Sequence, residues 1–380
     1  MDALTTPSNW QRVRLGDIAE IIGGGTPSTQ ITSFWNGSIN WFTATEIGIT
    51  KYVYKSQRTI TPLGLKKSSA KLLPIGTILL TSRASIGDCA ILKVAATTNQ
   101  DFQSLIPLEK INNEFLYYLM LTLKNKLLKL ASGSIFLGVS PNKIKNLLIP
   151  LPPLNEQIAI ANVLSDLDHY LYSLRALILK KESVKKALRI KMLNQILASN
   201  GVEFKKIGEI CLIKRGRVIA KKILQENGKY PVYSSQTLNN GILGFIDTYD
   251  FDGEFLTWTT DGAYAGSVFY RNGRFSITNV CGLLQVIQDN ILHKYLYYIL
   301  QITAPLHVNP GMGNPKLMSV AMQQIQIPLP PLNEQIAIAN ILSDLDSEII
   351  SLKNKKRQFD NIKKALNHDL MSAKIRVLKN

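Results

Sequence analysis

The side chains that could carry out chemistry are few and scattered in this sequence of 380 residues. It has three cysteines and four histidines: Cys89, Cys211, Cys281, His169, His293, His307 and His368. None of them lies at the spacing of a zinc site, and no serine, histidine and aspartate arrangement can be argued. The sequence therefore predicts no metal site, no cofactor and no catalytic residue.

Two further groups of residues resemble parts of active sites. Asp166 and Asp168 form an acidic pair that recurs as Asp344 and Asp346. Both pairs lie on predicted helices, and their repetition favours docking or capping over catalysis. Three glycines at 23–25 are not followed by the Gly-Lys-Ser/Thr of a phosphate loop, which favours a loose turn.

One stretch of sequence occurs twice. Residues 149–168 read IPLPPLNEQIAIANVLSDLD and residues 327–346 read IPLPPLNEQIAIANILSDLD, differing only at Val163 and Ile341. The offset of 178 residues is close to half of the chain, which indicates an internal duplication.

The elements around the repeat can be predicted from composition and spacing. The prolines favour an extended entry, and Asn155 and Asn333 are suited to cap a following helix. A proline-free and glycine-free run continues to about residue 198, roughly 66 Å if helical. Apolar residues at heptad spacing, interrupted by lysines at 181 and 185, predict a coiled-coil seam in this run and in its second copy.

The segments before each long helix have the character of α/β domains. In the first, 39–47, 76–83 and 89–94 have the composition of strands, and 113–130 has helical spacing. The two long helices must bury their seams, most simply against each other, in parallel or antiparallel orientation. If they are antiparallel, helix length sets the separation of two similar heads.

The composition points to a polyanionic partner. The formal net charge is +17, and hydrophobic residues make up 46% of the chain. Nucleic acid is the first expectation, an acidic membrane surface the second, and a merely basic soluble surface the alternative. The unpaired cysteines, the polar N-terminus and the lack of a long apolar run predict a cytoplasmic protein.

The heads contain side chains of the kinds that bind DNA. Arg, Asn, Gln, Ser and Thr read base edges, and Lys and Arg hold phosphates. The candidates are Trp41, Thr43, Lys66, Lys67, Ser82 and Arg83 in the first head, and Arg215, Arg217, Tyr233, Ser235, Gln236, Trp258 and Thr260 in the second. Trp41 and Trp258 could equally be core residues.

The sequence resembles the specificity subunit of type I restriction-modification systems over nearly its whole length. The resemblance rests on the doubled PLPPLNEQIAIAN motif with its long helices, on LGDIAEIIGGGTPS and INWFTATEI, and on LLTSRASIG followed by TTNQ. It implies an α+β fold in which two target recognition domains alternate with two helices packed as an antiparallel, pseudo-two-fold coiled coil. The corresponding domains are 1–149 and 201–327, with helical spacers at 150–200 and 328–380.

The resemblance also implies partners. Each recognition domain would read one half of a bipartite double-stranded DNA target. The spacers would dock two modification subunits, which carry the adenine methyltransferase, and restriction subunits would then join. Because the motif is identical in both spacers, the predicted docking residues are Asn155, Glu156, Gln157, Asn333, Glu334 and Gln335.

The chain itself lacks the signature of the methyltransferase. That enzyme needs an Asp/Asn/Ser-Pro-Pro-Tyr/Phe loop to hold the flipped base, whereas both Pro-Pro pairs here stand between leucines. We therefore expect a non-catalytic DNA-binding subunit. An orphan DNA-binding protein of this fold and a coiled-coil scaffold that does not bind DNA remain as alternatives.

Overall fold

A computed structural model describes residues 9–131, 137–198, 201–235, 237–311 and 313–378. They belong to two compact units. Unit 1 is drawn from Met1–Arg175 and Lys355–Asn380, and unit 2 is Ala176–Asn354. Each of the two long helices contributes one segment to each unit.

Unit 1 contains three sheets. A five-stranded sheet has the order β2-β9-β6-β7-β4, a three-stranded sheet the order β5-β3-β8, and β1 pairs with β10. The strands are β1 (Gln11–Arg14), β2 (Ala19–Gly23), β3 (Trp35–Phe42), β4 (Tyr52–Val53), β5 (Arg58–Ile60), β6 (Ile78–Leu80), β7 (Cys89–Leu92), β8 (Ala96–Thr98), β9 (Gln103–Pro107) and β10 (Leu148–Leu151).

The helices of unit 1 are α1 (Pro62–Lys66), α2 (Asn113–Leu130), α3 (Pro141–Lys145) and the start of α4 (Leu154–Ala198). Of these, α2 and α3 pack against the five-stranded sheet and α1 against the three-stranded sheet. The side chain of Asn112 accepts a hydrogen bond from the amide of Phe115 and caps α2. The predicted helix at 113–130 is confirmed, and its Phe115, Leu116 and Leu119 are buried in the main core.

Unit 2 is built around one six-stranded sheet with the order β12-β17-β15-β16-β13-β14, and β11 pairs with β18. The strands are β11 (Glu203–Lys206), β12 (Cys211–Arg215), β13 (Tyr230–Tyr233), β14 (Ile242–Ile246), β15 (Phe251–Thr259), β16 (Val268–Ile277), β17 (Cys281–Val286) and β18 (Gln326–Leu329). The helices are α5 (Ile207–Ile210), α6 (His293–Thr303), α7 (Ser319–Gln324) and the start of α8 (Leu332–Met371).

The long helices begin two residues earlier than caps at Asn155 and Asn333 would require. Because α4 starts at Leu154 and α8 at Leu332, Asn155 and Asn333 are helical residues, and the prediction that they cap the helices is wrong. The first turn instead closes on the proline before it: the carbonyl of Pro153 accepts from the amides of Glu156 and Gln157, both at 3.0 Å.

The helix segments pack antiparallel within each unit. In unit 1, residues early in α4 meet residues late in α8: the rings of Tyr170 and Phe359 are 4.7 Å apart, and Asp168 pairs with Lys363. In unit 2, Lys181 pairs with Glu348 and Lys185 with Asp346. In both units the residue numbers rise along one helix as they fall along the other, so the antiparallel orientation is confirmed.

The second aspartate of each acidic pair takes part in this packing, whereas Asp166 and Asp344 are exposed. Asp168 accepts a hydrogen bond from the hydroxyl of Tyr118 at 2.5 Å as well as pairing with Lys363. In unit 2, Asp346 accepts from Tyr298 at 2.9 Å and pairs with Lys185. These carboxylates therefore join the two helices to the preceding α/β domain, a role that the expected docking or capping did not include.

Candidate nucleic-acid interface

In unit 1, three loops cross at the end of the sheets. The amide of Gly25 donates to the carbonyl of Thr98 at 2.9 Å, and a Cβ added at Gly24 would lie 1.9 Å from the carbonyl oxygen of Asn99. Only glycine permits so close an approach of two backbones. The predicted loose turn at 23–25 is thus wrong, because two of its glycines form a tight crossing.

The third loop is held by Ser82. Its amide and its hydroxyl both donate to the carbonyl of Asp101, at 2.7 and 3.0 Å, and its own carbonyl accepts from the amide of Val139 at 2.9 Å. Ser82 is buried, whereas the next residue, Arg83, is exposed. The crossing therefore presents an exposed polar edge, which we call rim 1 and which consists of Thr26, Arg83 and Gln100.

Unit 2 repeats the crossing. A Cβ at Gly216 would lie 2.2 Å from the carbonyl oxygen of Thr278. The amide of Thr260 donates to the carbonyl of Val280, and the amide of Leu317 donates to that of Thr260 at 2.9 Å. Thr260 and Leu317 stand 178 residues after Ser82 and Val139, which make the corresponding bond in unit 1.

The exposed edge of the second crossing, rim 2, consists of Arg215, Arg217, Asn279 and Lys316. A guanidinium nitrogen of Arg215 donates to the carbonyl of Asn279 at 2.5 Å. Arg217 pairs with Asp250 at 3.0 Å, and Lys316 lies 3.8 Å from Asp261. Rim 2 is therefore richer in arginine than rim 1 but partly neutralised by aspartates.

Tyr233 and Ser235 lie at the end of β13 and are half-buried. The guanidinium of Arg271 stacks on the ring of Tyr233, 3.5 Å from its centroid, and its Nε donates to the hydroxyl of Thr257 at 3.1 Å. Burial lowers the pKa of Arg271 to about 10. Sequence reasoning missed this residue, since a buried arginine inside a strand has no pattern of its own. Gln236 lies outside the described residues.

Trp41 and Trp258 are core residues, as the alternative interpretation of the sequence allowed. Their exposed fractions are 4% and 0%. Each nonetheless supports a crossing: Trp41 Nε1 donates to the carbonyl of Gly25 at 2.9 Å, and Trp258 Nε1 donates to that of Leu317 at 2.8 Å. Ser82 and Thr260 are likewise buried, so none of these four side chains belongs to an exposed rim.

The other candidates of unit 1 lie beside the crossing. Thr43 donates to the carboxylate of Glu46 at 2.8 Å and is half-buried. Lys66 and Lys67 are exposed at the end of α1. Two residues further on, Ser69 contacts Gly25 closely enough that a Cβ there would lie 2.2 Å from its hydroxyl. The two lysines are thus placed next to rim 1.

The predicted docking residues divide into exposed and buried ones. Asn155, Asn333 and Glu334 are exposed. Gln157 and Gln335 are buried. Glu156 is buried as well, and its carboxylate accepts from Trp10 Nε1 at 3.1 Å and from two nitrogens of Arg376 at 2.6 and 2.9 Å. The identical motif therefore lies in two different environments.

No group of three or more His, Cys, Asp or Glu side chains among the described residues could hold a metal ion. No described helix is long and apolar enough to cross a membrane.

Comparison with known proteins identifies the family. The sequence profile described as "Type I restriction modification DNA specificity domain" matches residues 7–181 and 199–359. The MjaIX specificity subunit of Methanocaldococcus jannaschii is 27% identical over 98% of this chain and 94% of its own. The MpnII specificity subunit of Mycoplasma pneumoniae is 47% identical over 36% of this chain and 41% of its own.

The fold matches as well. The crystal structure of a type I restriction-modification S subunit from M. genitalium superposes with a TM-score of 0.65 at 20% identity, covering 96% of both chains. Two copies of the family domain span most of the sequence, and each lies in a part of the chain with its own sheets and its own loop crossing. The chain therefore belongs to the type I restriction-modification DNA specificity family, as a specificity subunit with two target recognition domains.

Proposed function

We propose that rim 1 and rim 2 each bind one half of a bipartite DNA target, within recognition domains 1–149 and 201–327. The observation that carries this proposal is a backbone crossing that occurs in both units with different exposed residues at its edge. Where Arg83 follows the buried Ser82 in unit 1, Asp261 follows the buried Thr260 in unit 2. A common frame that presents different donors and acceptors is suited to two different half-sites.

Within this proposal the side chains have distinct roles. Base edges are contacted by Gln100 of rim 1 and by Arg83, Arg215, Arg217, Tyr233, Ser235 and Gln236. Lys66 and Lys67 hold phosphates beside rim 1, and Thr43 orients its loop. The loops that form the rims are held in place by four buried side chains, Trp41, Ser82, Trp258 and Thr260.

The DNA-binding proposal is tested by sequencing methylated bases in cells that carry this chain and its modification partner. We expect a split motif. Arg83→Ala should relax one half of it and Arg217→Ala the other half, each by about 1–3 kcal/mol of discrimination. Lys129→Ala, which changes an exposed lysine of α2 that is not part of either rim, is the control.

A contiguous motif, or loss of both halves in either variant, would contradict this assignment. Binding to duplex DNA should also weaken steeply with salt, since neutralised phosphates release counterions. A flat salt response would favour the scaffold alternative.

We further propose that the helical spacers, 150–200 and 328–380, dock two methyltransferase subunits, that restriction subunits join this complex, and that the chain itself is non-catalytic. The support is an exposed face that occurs twice with the same residues: Leu154, Asn155, Ile158 and Asn162, and Leu332, Asn333, Ile336 and Asn340. Glu334 adds a carboxylate to the second face, whereas Glu156, Gln157 and Gln335 shape the faces from inside.

The docking proposal predicts stepwise loss of partners. Ile158 and Ile336 are both 42% exposed, so Ile158→Asp and Ile336→Asp should leave folding intact while placing a charge in one face each. Native mass measurements should show two methyltransferase subunits on the unaltered chain, one on each single variant and none on the double variant. Tyr172→Asp, at a residue of α4 that is 75% exposed, should keep both.

An unaltered chain that binds DNA but no methyltransferase would instead be an orphan DNA-binding protein. An equal loss of methyltransferase subunits in the Tyr172 variant would show that any added charge on α4 disturbs assembly. That result would remove the support for these faces.

A further inference from the structure

Unit 2 contains a cavity that takes no part in rim 2 or in the exposed docking face. Its volume is about 490 Å³, within the range of pockets that hold small molecules. It is a pocket open to solvent between α4, the end of α6 and α8, and its lining consists of Glu182, Lys185, Lys186, Arg189, Ile190, Gln301, Ile302, Asp346, Ile349 and Lys353.

The charges of this lining do not cancel. Lys185 pairs with Asp346, and Lys353 pairs with Glu182 at 2.6 Å. Lys186 and Arg189 remain, and no described carboxylate lies within ion-pair distance of either. The cavity therefore carries two cations in excess, which favours an anionic occupant.

Two buried polar atoms of the lining also have no hydrogen-bond partner among the described residues. They are Nε of Arg189, a donor, and Oε1 of Gln301, an acceptor. Burial lowers the pKa of Arg189, since its charge is only partly compensated. Buried polar groups in proteins normally form hydrogen bonds, so we expect both atoms to bond a group that is not part of the chain.

The helix packing itself does not require these residues. The positions in unit 1 that correspond to Arg189 and Gln301 are Asn367 and Leu121, offset by 178 and 180 residues. Nδ2 of Asn367 donates to the carbonyl of Tyr118 at 3.1 Å, an internal bond between helices, whereas its Oδ1 has no partner among the described residues. Unit 1 thus achieves the same helix pairing with a short amide and an apolar side chain.

We propose that this cavity binds the phosphate group of a nucleotide, with Arg189 and Lys186 donating to phosphate oxygens and Gln301 accepting from a neighbouring hydroxyl or amino group. The planar guanidinium suits phosphate, and Oε1 of Gln301 suits the sugar or base beside it. The nucleotide is either free in solution or part of a DNA backbone.

The test uses the full chain and two probes, inorganic phosphate and ADP, added at constant ionic strength against chloride. A ligand that binds only the folded state raises the melting temperature in a saturable way. We expect saturation with both probes and tighter binding of ADP. Lys186→Ala should raise the half-saturating concentration about tenfold, whereas Lys364→Ala, its exposed counterpart in unit 1, should leave it unchanged.

Arg189→Asn and Gln301→Leu, which install residues like those of unit 1, should remove the response. If Arg189→Asn fails to fold, the comparison of Lys186→Ala with Lys364→Ala still tests the proposal. A response that is absent, that does not saturate, or that falls equally in both lysine variants would overturn the proposal and leave water between Arg189 and Gln301.

The source of the phosphate is separated by competition. A short duplex without the target motif either displaces ADP, which identifies the DNA backbone as the occupant, or leaves it bound, which identifies a free nucleotide. Because all of these measurements use the isolated chain, they do not depend on target recognition or on methyltransferase docking.

Discussion

Gln157 and Gln335, which lie 178 residues apart, make the same three hydrogen bonds. Gln157 accepts from the amide of Asn112 at 2.9 Å and donates to the carbonyls of Pro152 at 2.9 Å and Lys110 at 3.2 Å. Gln335 accepts from the amide of Leu292 and donates to the carbonyls of Pro330 and Asn290, at 3.0, 2.9 and 3.1 Å. Each glutamine thus fastens the start of a long helix to the loop before α2 or α6.

Removing either glutamine should destabilise the protein. Gln157→Ala and Gln335→Ala each leave a backbone amide and two carbonyls without their partner in a buried place, so we expect a loss of about 2–4 kcal/mol apiece. Urea denaturation gives the measurement, and the effects should add because the two sets of partners share no residue. Asn155→Ala, two residues before Gln157 on the exposed side of α4, should change stability by less than about 0.5 kcal/mol. A comparable loss of stability in Asn155→Ala would mean that the glutamine variants lose stability through helix propensity and not through the missing hydrogen bonds.

The crossing in unit 1 provides a test with adjacent residues. Gly24→Ala forces a methyl group to within 1.9 Å of a backbone oxygen, so rim 1 must distort. At Gly23 the nearest atom to an added Cβ is Nε2 of Gln103 at 3.5 Å, an ordinary contact, and Gly23→Ala is the control. We expect Gly24→Ala to weaken recognition of one half-site at least tenfold, equivalent to about 1.4 kcal/mol, as measured by methylation of half-site variants. Equal effects of the two substitutions would show that the crossing does not organise the rim.

The architecture could be predicted from sequence because its signals are local and periodic. The heptad positions from Ile160 to Met192 are all buried or half-buried, as the spacing indicated. The duplicated motif likewise marks the two places where an α/β domain is followed by its long helix. Identical sequence does not ensure identical surroundings, however: Glu156 meets Arg376 and Trp10, whereas Glu334 is exposed.

The rims were only partly predictable, because they are assembled from loops that are distant in sequence. Arg83 and Arg217 could be proposed from residue type alone. Nothing local indicated that Trp258 would be enclosed beneath Gly282, where an added Cβ would lie 2.1 Å from its ring. The roles of Thr260 and Ser82 depend in the same way on backbone partners that only the folded chain brings together.

The ion pairs between the long helices should be measurable by double-mutant cycles. Asp168 and Lys363 have side chains that are 28% and 20% exposed, so water screens their attraction only in part. We expect a coupling energy of about 1 kcal/mol from Asp168→Asn combined with Lys363→Met, and a similar value for Asp346 with Lys185. The exposed pair of Lys374 and Asp369, 3.7 Å apart, is the control and should couple by less than about 0.3 kcal/mol. Equal couplings for all three pairs would mean that burial does not strengthen the helix contacts.

The buried thiols predict how stability depends on pH. Burial raises the pKa of Cys89 and Cys211 from 9 to about 12 and that of Cys281 to about 11. The folded chain therefore holds these protons more tightly than the unfolded chain does. Their contribution to stability is complete below pH 9 and is lost as the pH rises from 9 towards 11–12. The slope is about 1.4 kcal/mol per thiol for each pH unit.

Urea denaturation between pH 8 and 10 measures this loss. Replacing all three cysteines by alanine gives the control that removes the thiol contribution and retains that of the buried tyrosines. We expect the unaltered chain to lose stability more steeply than the triple variant above pH 9. Iodoacetamide at pH 8.5 should label the thiols only after unfolding, because the thiolate is the nucleophile and its formation in the folded core is suppressed. Parallel pH profiles for the two proteins, or rapid labelling of the folded chain, would show that the thiols titrate freely.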